Sequence, residues 1–149
     1  MIFARRGGSW PPENILVPTG GASAASKAAE MAFAISDENS RVMLFHVVDP
    51  ELAPTGSTSI HSSAGLRLEL GYNMLGSVRE IGESLGVSVT SEVHMGRGVV
   101  SSILARAEHD IDLMIVGTNV RSGSQRLYLG PKVERLVAES TCSMIIFNV

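Results

Sequence analysis

Residues 112–131 read DLMIVGTNVRSGSQRLYLGP, and the first six decide most of the architecture. Leu113, Met114, Ile115 and Val116 form an apolar run without polar alternation, which marks a strand covered on both faces. The run ends at Gly117 and enters a loop rich in hydroxyls and arginines, closed by Gly130 and Pro131. Proline suits the first position of the following stretch PKVERLVAES (131–140), because a helix leaves its first N–H groups unpaired in any case. A buried strand, a glycine-bracketed loop and a helix, in that order, form the junction at which α/β proteins hold anions.

Four more runs resemble that strand. NILVP (14–18), RVMLFHVV (41–48) and SMIIFNV (143–149) are near-continuously apolar, whereas VSVTSEV (87–93) alternates and predicts an edge or a wet face. Helical stretches separate them. ASAASKAAEMAFAI (22–35) carries Ala25, Ala28, Ala29, Ala32 and Phe33 at helical spacing, and VVSSILARAEH (99–109) is another helix. Residues 63–86 place Leu68, Tyr72, Leu75, Val78, Gly82 and Leu85 on one stripe. Glycines inside that helix each cost about 1 kcal/mol against alanine, so packing must compensate. Strictly alternating strands and helices predict the α/β class: a single five-stranded, parallel, doubly wound sheet with four helices and right-handed crossovers. Residues 14–149 form one domain behind a flexible leader or linker, residues 1–13. The stretch DPELAPTGSTSIH (49–61) reads as a flap over the carboxyl edge.

Composition narrows the function classes. A formal charge of −3 gives no bulk attraction to nucleic acid, which is not an expected partner. One cysteine, Cys142, excludes an internal disulfide framework and suits a reducing compartment. No apolar run approaches the roughly 20 residues of a membrane span, and MIFARRGGSWPP lacks the apolar core of a secretory signal. A cytoplasmic domain is the expectation. His46, His61, His94 and His109 show no metal-ligand spacing, so no metal site is expected. No nucleophile elbow and no paired carboxylates are present, and no catalytic residue is assigned.

Ligands of doubly wound sheets sit beyond the carboxyl ends of the strands, where strand order reverses. The segments that reach that edge are PTGGAS (18–23), HVVDP (46–50) and the loop after the fourth strand. NILVPTGG, LFHVVDP, DLMIVGTNVRSG…LYLGP and STCSMIIFNV, in this order and spacing, resemble the universal stress protein family over nearly the whole chain. The resemblance implies a sensor or regulator rather than an enzyme, with a second copy paired through the last strand. One branch of that family binds ATP with a loop of the form G-x2-G-x9-G-S/T, and another branch lacks the complete motif.

Carried over, the resemblance makes Gly117 and Gly130 the first and last loop glycines. Val120 replaces the middle glycine, Pro131 the final hydroxyl, and Gly20 an aspartate of the first turn. Valine at positive φ is strongly disfavoured, and proline has neither hydroxyl nor N–H to offer a phosphate. Arg121, Arg126, Lys132 and Arg135 nevertheless cluster in the loop and the helix after it, with only Glu134 as an acid from 117 to 135, and forks of arginine hold anions well. The alternative is a solvated basic face, or arginines pairing with acidic residues elsewhere. The expected ligand is a nucleotide or another phosphate-bearing molecule, with ATP, AMP or another adenine nucleotide as candidates. The loop residues expected to hold it are Gly117, Thr118, Arg121, Ser122, Gly123, Gly130 and Lys132. Pro18, Thr19, Gly20 and Val47 are expected at the nucleoside.

Two expectations concern partners. The stretch GTNVRSGSQRLYLGPKVERL resembles the form of the domain fused behind bacterial cation/proton antiporters, which would tether it to the inner membrane. The apolar final strand is an edge, and unpaired edges invite association. A homodimer through that strand is expected, the alternative being partial cover by the leader.

Overall fold

The computed structural model describes residues 2–3, 10–19, 22–52, 60–118 and 129–148. The elements are β1 (Ile2–Phe3), β2 (Asn14–Pro18), α1 (Ala22–Ile35), β3 (Arg41–Val48), α2 (Ile60–Ser84), β4 (Ser88–Met95), α3 (Val99–Ala107), β5 (Leu113–Thr118), α4 (Pro131–Glu139) and β6 (Ser143–Asn148). A 3-10 turn, Pro50–Leu52, follows β3. The sheet order is β1-β6-β5-β2-β3-β4. Strands β2 to β6 are mutually parallel, so the five-stranded parallel sheet with four helices stands as expected. The short β1 adds an antiparallel rung pair to β6, with Ile2 opposite Ile145 and Phe3 opposite Met144. Two residues of the stretch taken as a leader thus lie on the sheet edge.

Alternation along each strand divides the core. Ile15, Val17, Val42, Leu44, Leu113 and Ile115 pack with α1 and α2 on one face. Leu16, Phe45, Val47, Met114, Val116, Met144 and Ile146 pack with α3 and α4 on the other. Each such side chain contributes roughly 1.5–3 kcal/mol by leaving water. Helix α1 presents Ala28, Ala29 and Ala32, all fully buried, so its backbone approaches the sheet closely. Strand β4 ends the sheet, with Thr90 and His94 exposed, which is the wet edge its alternation predicts.

The register of α2 differs from the stripe expected. Leu75, Val78 and Gly82 face inward, but Tyr72 and Leu85 are exposed. The position beside Tyr72, Gly71, faces the sheet instead. A methyl group there would stand 3.0 Å from His46 Cδ2, and one at Gly82 would stand 2.5 Å from a Val89 methyl and 2.7 Å from the Phe33 ring. Glycine at these two positions lets α2 lie against β3, β4 and α1, which offsets its low helix propensity. Helix α2 also starts three residues earlier than the pattern indicates, taking Ile60 and His61 from the expected flap.

Candidate functional site

Helices α1 and α2 follow β2 and β3 on one face, whereas α3 and α4 cover the other, so winding reverses between β2 and β5. The ladder between those two strands consists of Ile15–Leu113 and Leu16–Met114, at the amino half. Toward the carboxyl ends Val17 and Pro18 stay paired to β3, and Ile115 to Thr118 stay paired to β6. The seam between β2 and β5 therefore opens at the switch point, where a doubly wound sheet receives its ligand.

Three ties shape this edge. Thr19 donates its N–H to the Phe45 carbonyl at 2.8 Å and its hydroxyl to the same oxygen at 3.3 Å. His46 Nδ1 lies 2.9 Å from the Thr19 carbonyl and 3.1 Å from its hydroxyl oxygen, so the ring donates from Nδ1 and fastens the end of β2 to β3. Thr19 is buried, and its hydroxyl serves the scaffold. Val47 lies past the last β2–β3 rung, Pro18–Phe45, with its side chain buried under α3.

The second tie is at the loop. Thr118 is buried and donates its hydroxyl to the Leu129 carbonyl at 3.0 Å, joining the two ends of the loop after β5. Gly130 follows with φ 86° and ψ 151°, a region open almost only to glycine. The extended ψ is what Pro131 imposes on its predecessor. Gly130 accepts the first helical bond from the Glu134 N–H at 3.0 Å but has no side chain to cap the helix. Pro131 offers no N–H, so the amides of Lys132 and Val133 come next at the end of α4, where the helix dipole is positive. The Lys132 side chain is exposed beside them.

The third tie is made by Asp49, which lies within HVVDP but is not among the expected site residues. Asp49 accepts the Gly98 N–H at 2.9 Å and the Glu51 N–H at 2.9 Å, binding the turn after β3 to the turn before α3. Those N–H groups, helped by Arg97 and Arg67, hold its carboxyl below the ordinary value of 3.8. Gly98 has φ 77°, so glycine is required where its amide turns toward Asp49. Arg67 on α2 donates to the Asp49 carbonyl at 3.2 Å. Arg67, His46, Leu70, Gly71 and Met74 line a hollow of about 290 Å³ beside this turn.

Arg135 departs from its expected place in the anion cluster. Its Nε lies 2.8 Å from Glu139 Oε1, one turn along α4, and Nη2 reaches Ser101 Oγ at 3.4 Å. Glu139 raises its pKa further. The spacing of four residues was the available signal for this pairing. Gly20, Arg121, Ser122 and Gly123, together with Val120 and Arg126, lie outside the described residues.

Size alone does not identify the site. A larger hollow of about 700 Å³ lies at the amino ends of the strands, lined by Asn14, Arg41, Arg106, Asp110 and Asp112. Asp112 Oδ2 there accepts the N–H groups of Asn14 at 2.8 Å and Glu13 at 3.2 Å, and Ser40 donates to the Pro12 carbonyl at 2.8 Å. These contacts pin the beginnings of strands and leave the switch point, at the other end, as the better candidate.

The described residues thus build a doubly wound α/β domain whose carboxyl edge is open at a switch point, beside a tied loop and a helix N-terminus. Residues 12–148 match the model of the universal stress protein family, and the chain belongs to that family. A relative, universal stress protein MJ0531 of Methanocaldococcus jannaschii, is 27% identical over 139 residues, covering 90% of this chain and 81% of its own. Among solved structures, universal stress protein UspA from Lactobacillus plantarum superposes with a TM-score of 0.74 at 19% identity, covering 90% of this chain and 96% of that one. A universal stress protein in complex with cAMP gives 0.65 at 17%, covering 91% and 96%. An Arabidopsis thaliana family protein with AMP bound gives 0.63 at 16%, covering 92% of each chain. These structural likenesses carry the fold.

Proposed function

We propose that this domain is a stress-response regulator that binds an adenine nucleotide at the open end of the β2–β5 seam. The observation that carries this reading is the opening of the seam beneath a loop whose ends Thr118 and Leu129 hold together. In this reading the base lies against the backbone of Val47 near Pro18 and Thr19. The phosphates meet the loop from Gly117 to Gly130, with Arg121, Ser122 and Gly123, and the amide end of α4 at Lys132. Binding is regulatory, with no group assigned to hydrolysis. Complexes of other family members with cAMP and AMP support the ligand class. A second copy pairs through β6, and the antiporter-like loop makes a membrane transporter domain a further partner of this proposal.

Melting temperature measured with Mg-ATP, ADP, AMP and cAMP tests the ligand. A nucleotide at ~100 times its Kd adds roughly 2.7 kcal/mol, a shift of a few degrees for a domain of this size. The Arg121→Glu chain should lose that shift while its unliganded melt stays unchanged. Constant melting temperatures with all four nucleotides would reject the reading. They would favour an interaction module acting through β6, which the capless, N–H-poor start of α4 at Gly130 and Pro131 supports.

A further inference from the structure

Strand β4 and helix α3 leave a furrow between them on the face of the sheet opposite α2. Val89 and Val93 of β4 pack into the core beneath α1 and α2, so the alternate residues Glu92 and His94 share the other face. Across from them Ser102, Ala105 and Arg106 recur at helical spacing on α3, with His109 just beyond its end. The furrow encloses about 430 Å³, with the Phe45 ring in its lining and Arg97 contributed by the turn before α3. Small side chains at Ser102 and Ala105 keep it open.

Two polar atoms converge there. The His94 ring stacks on Phe45, with centroids 5.9 Å apart and 26° between the planes, which fixes its orientation. A Cβ at Gly96 would stand 2.7 Å from His94 Nε2 and 3.1 Å from Ser102 Oγ, so both atoms border the space that this glycine leaves. Among the described residues neither His94 nor Ser102 makes a side-chain hydrogen bond. Glu92 is the one acid in the lining, and Arg106 faces it at 3.7 Å. Arg97 meets Glu51 at 3.2 Å through Nε, but both side chains are largely exposed and such pairs hold weakly.

We propose that this furrow binds a phosphate group, free or carried by a small ester, with His94 Nε2, Ser102 Oγ and the Arg97 guanidinium as donors. A tetrahedral anion presents oxygens in several directions, which suits donors arriving from a strand, a turn and a helix. A planar carboxylate is satisfied by one arginine fork. Phe45 and Ala105 offer an apolar surface to the rest of an ester. None of these residues is among those proposed for the nucleotide, so this site stands or falls apart from that one.

Heteronuclear NMR of the full chain tests it, with inorganic phosphate, glycerol phosphate and acetate titrated at constant ionic strength. The Gly96 and Ser102 amides should shift saturably with phosphate and not with acetate. Arg97→Gln and Ser102→Val should each weaken binding roughly tenfold or more while their melting temperatures stay near the parent's. Saturation by both phosphates would make this an ester site, and saturation by inorganic phosphate alone would assign it to the free anion. Shifts confined to Lys132 and Val133, an equal response to acetate, or parental affinity in both variants would overturn the inference.

Discussion

The amino and carboxyl ends of the sheet are both tied by side chains, but the ties do different things. At the amino end, Asp112 and Ser40 close gaps between neighbouring segments, drawing Glu13 and Asn14 onto Asp112 and Pro12 onto Ser40. At the carboxyl end, Thr19, Asp49 and Thr118 hold groups around the half of the β2–β5 seam that carries no rung among the described residues. A fold stabilised mostly by its two apolar faces can use one end as a seam and the other as a frame. The difference predicts that equal chemical insults at the two ends will separate stability from binding.

Removing the Asp112 carboxylate should give the largest loss of stability. Asp112→Ala leaves two backbone N–H groups without their charged acceptor, at a cost of about 2 kcal/mol. Chemical denaturation would show it, and nucleotide affinity, where present, should stay within twofold of the parent. A comparable loss of affinity would erase the distinction between the ends. Thr118→Val should cost less in stability, about 1 kcal/mol for one hydroxyl bond. It should weaken nucleotide binding more than it lowers the melting temperature, because the loop ends part above the seam. Calorimetric titration beside a melt separates the two effects.

The smallest effect is at Asp49. Its pKa is lowered in the folded state, so its contribution to stability is full above the ordinary value of 3.8 and fades as pH falls through the lowered one. Asp49→Asn should flatten the acid limb of the melting profile below about pH 4 and leave neutral pH nearly untouched. An acid limb as steep as before would show that Asp49 does not shape it.

Much of the fold was legible because buried parallel strands announce themselves as uninterrupted apolar runs, as at Leu113–Val116. Glycine was less legible. It is silent in a hydrophobic pattern, so Tyr72 was assigned to the stripe while Gly71 was the residue against His46. The pair Ile2 and Phe3 was too short to read as a strand, and only the apolar partner at β6 makes it one. Within the candidate site, the loop and its bracketing glycines were visible as a motif. Asp49 was not, because its meaning comes from Gly98, which is 49 residues away. Arg135 adds to the positive charge beside the loop in sequence, but Glu139, one turn along the same helix, is its partner.

The hydrogen bond from Thr118 to Leu129 has a further consequence, for engineering. It fixes the anchor points of the intervening segment independently of what that segment contains. The entropy of closing a loop grows slowly, by about 0.6 kcal/mol for each doubling of length. The stretch from 119 to 128 can therefore be treated as an exchangeable cassette on a rigid socket. If that segment holds the ligand as proposed, sequences of different length and chemistry grafted between the same two residues would change what is bound while the sheet is left alone.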